Sequence, residues 1–199
     1  MKRVIACCYP FVLLPLRLAL IGCVTVGGSQ GCHYPRRDAV RREQSPPVMS
    51  SGSGTSTVTI DTDLHTMRVE ASFQDLTGMT TASHIHGPTA VPFEGNAGVI
   101  SPTPSFPGFP LGVTSGSYDM TFDLTMASSY NPSFITAQGG MVSAAEGALL
   151  QSLAEGRSYL NIHSSAFGGG EIRGFYVVPA PGTGALCVTG GLVMTRRRR

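Results

Sequence analysis

The stretch that most restricts the fold is residues 159–174, YLNIHSSAFGGGEIRG. It reads as two short strands joined by a glycine-rich turn. Side chains on a strand alternate between faces, so Leu160 and Ile162 point one way, and Tyr159, Asn161 and His163 point the other. In the second strand Ile172 takes one face, with Glu171 and Arg173 on the opposite one. Closing the hairpin across residues 164–170 brings Ile162 beside Ile172 and His163 beside Glu171. One face is then apolar, and the other carries imidazole, carboxylate and guanidinium. Gly168, Gly169 and Gly170 allow positive φ values wherever such a turn calls for them.

A second histidine strand lies upstream in Ser83-His84-Ile85-His86-Gly87-Pro88. His84 and His86 share a face and Ile85 takes the other. Val58 and Ile60 alternate with polar residues in an earlier strand, and Asp61-Thr62-Asp63 marks its turn. Met67, Val69, Ala71 and Phe73 then form the inward face of the next strand. Tyr118, Met120, Phe122 and Leu124 alternate with Asp119, Thr121 and Asp123. The predicted core is Met67, Val69, Tyr118, Met120, Phe122, Leu124, Leu160, Ile162 and Ile172.

Residues 88–116 hold Pro92, Pro102, Pro104, Pro107 and Pro110, which donate no ladder hydrogen bonds, so this segment is expected as a loop or edge excursion. Its Phe93, Phe106, Phe109 and Leu111 are expected to cover one end of the fold. Asn131-Pro132 reads as a turn. Ser143 and Glu146 are spaced as a capping box for a helix that places Ala145, Leu149 and Leu153 on one face and ends at Gly156.

HIHGP followed by YLNIHS and GGEIRG, with the opening Glu43-Gln44-Ser45-Pro46-Pro47 and SSGSGTSTVTID, resembles the CHRD domain. That family is named from chordin and is common in exported bacterial proteins. The resemblance covers about residues 43–178. It implies a mainly β fold, a Greek-key-like antiparallel β-sandwich with one short helix, at an extracytoplasmic address. It implies no known reaction.

Composition fits a turn-rich β domain, with 13% charged residues, 25 glycines and 14 prolines in 199 residues. The formal charge of +2 hides a strong asymmetry. Within residues 43–178 only Arg68, Arg157 and Arg173 face eleven acidic residues, a formal −8. An acidic body excludes nucleic acid as a partner, because such binding needs a basic surface to displace counterions. None of the five cysteines, Cys7, Cys8, Cys23, Cys32 and Cys187, lies in that span. Any metal site there must therefore use nitrogen and oxygen ligands.

The two ends read as targeting segments. Residues 1–30 begin with Lys2-Arg3 and continue into an apolar run, the order of a secretory signal. Leu20-Ile21-Gly22-Cys23 resembles a lipobox, with Cys23 as the lipidated residue, against an ordinary signal cleaved further on. Residues 31–42, with four arginines, read as a basic, solvated linker. Residues 179–199, preceded by Val178, resemble a PEP-CTERM sorting signal. Val178-Pro179-Ala180-Pro181-Gly182 supplies the Pro-x-Pro motif, with Ala180 where that family usually has Glu. An apolar run follows, and Arg196, Arg197, Arg198 and Arg199 form the basic stop. The resemblance implies a membrane-held intermediate, a sorting protease of the exosortase type, and a final place at the cell surface or outside the cell.

No nucleophile elbow, phosphate loop or dinucleotide fingerprint occurs. Two readings of function remain. The first is a non-enzymatic surface or matrix interaction module without a cofactor, contacting extracellular polysaccharide or surface proteins. The second is a zinc- or copper-binding domain or enzyme. H-x-H on one strand with a third histidine elsewhere is similar to the copper–zinc superoxide dismutases, also β-sandwiches. There His84, His86 and His163 are the candidate ligands and Glu171 supports one of them from behind.

Overall fold

The computed structural model describes residues 32–33, 37–40 and 44–178. The strands run in order β1 (Cys32–His33), β2 (Arg37–Val40), β3 (Ser53–Asp61), β4 (Thr66–Gln74), β5 (Thr80–His86) and β6 (Gly116–Asp123). Two helices follow, α1 (Pro132–Ala137) and α2 (Val142–Ala154), then β7 (Tyr159–Ser164) and β8 (Ile172–Phe175). The fold is mainly β, with two antiparallel sheets. One holds β3, β4 and β6 side by side, with β1 and β2 both on β3; the other is β5-β7-β8. This is the layering of a β-sandwich.

Alternation decides which residues meet between the layers. Val58, Ile60, Met67, Val69, Phe73, Tyr118 and Phe122 come from the first sheet, and Ile85, Leu160, Ile162 and Ile172 from the second; all are buried. Met120 is only half-buried and packs at the margin of this core. The β3–β4 turn is closed by Asp61, whose Oδ1 accepts from the backbone N–H of Asp63 and Leu64 at 3.0 and 2.9 Å.

The proline-rich segment 88–116 is a strap laid along the free edge of β5. Ile100 and Phe106 donate backbone N–H groups to Ile85 O and Ser83 O at 2.9 and 3.0 Å. The prolines between them cannot donate, so no regular strand forms. Phe106 and Phe109 turn into the core, Phe106 stacking on Tyr118 at 5.4 Å and Phe109 on Phe73 at 5.5 Å. Phe93 and Leu111, expected to cover an end of the fold, remain half exposed.

Three local expectations are corrected. Asn131-Pro132 is not a free turn but the start of α1, where the Asn131 side chain accepts from Ser133 N at 3.0 Å. Two α-helices are therefore present among the described residues where one was expected. Ser143 is no cap either: α2 begins a residue earlier, after Met141, with no side-chain cap. Glu146 instead accepts from His65 Nδ1 at 2.7 Å. Lastly, residues 31–42 include β1 and β2, paired with β3. Ladder bonds are made by backbone and need no apolar side chain, so arginines do not prevent them. No helix among the described residues is long and apolar enough to cross a membrane. The signal-like segment, Cys23 and the tail 179–199 lie outside the described residues.

Candidate metal centre

His84 and His86 rise from β5 and His163 from β7, on the face of the second sheet away from the core. The register sets Ala82 opposite His163, His84 opposite Asn161, and His86 opposite Tyr159. The three imidazoles therefore occupy corners of one small patch, with ring centroids 5.2 to 5.8 Å apart. The strap covers this patch, so His84 is buried although it points away from the core.

Each ring is held by a backbone carbonyl. His84 Nε2 donates to Pro104 O at 2.6 Å, His86 Nδ1 to Ala97 O at 2.9 Å, and His163 Nδ1 to Gly168 O at 2.9 Å. A carbonyl only accepts, so these nitrogens carry the protons and fix the tautomers. The other nitrogens, His84 Nδ1, His86 Nε2 and His163 Nε2, are left as acceptors, and the Asn161 amide approaches that of His163 at 3.4 Å. His84 Nδ1 and His163 Nε2 lie 3.3 Å apart. His86 Nε2 is buried with no hydrogen-bond partner among the described residues. One donor atom from each ring falls within 4.8 Å of the other two.

Burial favours the neutral form of His84 and His86. It lowers the His84 pKa against the pull of the Pro104 carbonyl, and the neighbouring His163 adds to the lowering. Burial likewise pushes His86 down to about 4, with His84, His163 and Arg173 contributing. Neutral imidazoles with anchored N–H groups are the form in which histidine binds metal.

A model of the CHRD domain family matches residues 39–176. The chain belongs to the CHRD family. No curated protein and no solved structure matches it. Within the CHRD domain the HIHGP motif builds β5 and its exit, while YLNIHS and GGEIRG form the β7–β8 hairpin that carries the third histidine.

Glu171 is placed differently from its expected position behind a ligand. The chain turns at Gly170, whose φ is +123°, so Glu171 does not continue the alternation of β8. Its carboxylate is fully buried and accepts from Ser50 Oγ at 2.5 Å, Thr77 N at 2.5 Å, Gly78 N at 3.2 Å, and Ser164 Oγ. It ties three parts of the CHRD domain together and, among the described residues, makes no hydrogen bond to a histidine. The residues that do frame the rings are Tyr159 and Asn161. Tyr159 stacks on His86 at 5.1 Å and 10°. Asn161 Nδ2 lies 3.4 Å from His163 Nε2. Alternation alone put both on the histidine face; the carbonyl anchors left no trace in residue identity.

Proposed function

We propose that this CHRD domain binds one transition metal ion, of the zinc or copper class, through His84 Nδ1, His86 Nε2 and His163 Nε2. The observation that carries this is that one ring nitrogen from each of His84, His86 and His163 lies within 4.8 Å of the other two, while each ring is pinned through a nitrogen by a backbone carbonyl. Without an ion, His84 Nδ1 and His163 Nε2 face each other at 3.3 Å with only the Asn161 amide beside them, and His86 Nε2 is buried unpaired, at a cost in free energy. One cation satisfies all three. Two donors about 2.0–2.1 Å from one tetrahedral ion stand close to the separation that His84 and His163 already have. Imidazole suits zinc, copper, iron and nickel, and the absence of thiolate disfavours closed structural zinc sites. Three protein donors leave a position for a small exchangeable ligand.

The test is metal analysis of the purified full chain after loading with zinc or copper and dialysis. One ion per chain, lost in His84→Ala and His163→Ala, is expected. Substoichiometric metal in the wild type, with a melting temperature indifferent to chelator, overturns the proposal.

We further propose that the protein is exported and passes through a membrane-held form. Support comes from Lys2-Arg3 with its apolar run, and from Pro179 and Pro181 followed by an apolar segment and four terminal arginines. Mass spectrometry of the mature protein tests this: a species still ending at Arg199 rules out processing by cleavage. A surface-interaction role is supported by one feature, the half-exposed Val91, Phe93 and Leu111 on the strap that holds the histidines.

A further inference from the structure

The supports of the three histidines meet again at two residues far upstream. Gln44 is buried, and its Nε2 donates to Asn161 Oδ1 at 2.8 Å across 117 positions of sequence. The amide orientation of Asn161 follows from chemistry. Its other end faces Gly169 O at 3.1 Å, a carbonyl that only accepts, so the nitrogen lies there and the oxygen faces Gln44. The same nitrogen reaches toward His163 Nε2. Gln44 thus holds Asn161, which holds the β7–β8 turn, whose Gly168 carbonyl holds His163.

Ser45 makes the second link. Its carbonyl accepts from Asn96 Nδ2 at 3.0 Å, and Asn96 Oδ1 accepts from Arg173 Nη1 at 2.7 Å. The next residue, Ala97, anchors His86 through its carbonyl and donates its N–H to Tyr159 Oη at 3.3 Å. Two consecutive residues therefore fasten the turn behind His163 and the strap behind His86.

We propose that Gln44 and Ser45 are positioning residues, a latch that couples docking of an arm formed by residues 44–52 to metal binding at His84, His86 and His163. This rests on the metal reading above. Coupling is reciprocal: a docked arm preorganises the donors, and a bound ion tightens the arm. Outer partners of metal-binding histidines change affinity by about 10–100-fold when removed.

The experiment is a zinc titration of the full chain against a chromophoric chelator, comparing wild type, Gln44→Ala and Gln44→Glu, with amide exchange across residues 48–52 measured with and without zinc. The expected result is at least about a tenfold rise in Kd for both variants, and slower exchange in the zinc-loaded wild type. A purely structural Gln44 would lower the melting temperature and leave Kd unchanged. Unchanged Kd in folded variants, or exchange across 48–52 that ignores zinc, overturns the latch. The exchange measurement uses wild type and so holds even if the variants do not fold. Absence of zinc binding by the wild type overturns the metal reading itself, which is a separate outcome.

Discussion

His84 Nδ1 and His163 Nε2 face each other 3.3 Å apart, and with both rings neutral each is a lone pair. The carbonyls of Pro104 and Gly168 have claimed the hydrogens at the far side of each ring. Two aligned lone pairs repel, so an ion between them converts a destabilising contact into a stabilising one. Zinc should accordingly raise the melting temperature of the full chain, by an amount set by its concentration over Kd. His84→Ala should abolish that rise, as read by calorimetry with and without chelator.

Glu171 supplies a prediction of the opposite kind, about stability alone. Burial by itself would raise its pKa; hydrogen bonds from Ser164, Ser50, Thr77 and Gly78 outweigh that and hold it below the ordinary carboxylate value. A depressed folded pKa means stability that is present above the unfolded value, about 4.3, and lost as pH falls through the folded one. Glu171→Gln should cost about 1–3 kcal/mol for each donor left without its acceptor. Urea unfolding at neutral pH checks the cost. A melt series on the acid side should fall less steeply in the variant than in wild type.

His65 and Glu146 should show the reverse pH sign. The hydrogen bond to Glu146, followed by that carboxylate's charge, raises the His65 pKa. Stability from this pair is complete below the unfolded value of about 6.5 and is lost as pH rises through the folded one. His65 is half exposed, so solvent screening keeps the effect small. Comparing wild type with Glu146→Gln from pH 6 to 8 reads it, and identical pH profiles would remove the contact from the account.

Two glycines of the β7–β8 turn should behave differently. A Cβ on Gly170 would lie 2.2 Å from Asn161 Oδ1, on backbone at φ +123°. A Cβ on Gly169 would meet nothing within 4 Å. Gly170→Ala should therefore displace Asn161, lower the melting temperature and weaken zinc binding. Gly169→Ala should stay within about 0.5 kcal/mol of wild type. Equal behaviour of the two variants would show that Asn161 is not held as described.

Phe122→Ala tests the core. The ring is buried, with Phe106 at 5.6 Å. Removing it should cost about 3–5 kcal/mol in chemical denaturation.

Much of this was legible in the sequence because strands have a period of two. That period put Met67, Val69, Phe122 and Leu160 in the core and set His84 and His86 on a shared face. It failed wherever the chain left the ideal strand. Glu171 escaped because the turn at Gly170 broke the alternation. The start of α1 escaped because Asn131-Pro132 serves turns and helix caps equally well. β1 and β2 escaped because backbone pairing leaves no composition to read. At the candidate metal centre, residue types singled out the three histidines but not which nitrogen faces inward. That choice is made by the carbonyls of Ala97, Pro104 and Gly168, which any residue type could have provided.

The strap along β5 has one more consequence. β5 borders its sheet, and a bare border strand invites another chain to add to it. Here the strap takes up the outward carbonyls of Ser83 and Ile85. Its own course is broken by Pro102, Pro104, Pro107 and Pro110, which have no N–H to offer a newcomer. The strand that presents two of the three histidines is thereby shielded from fibre-forming self-association.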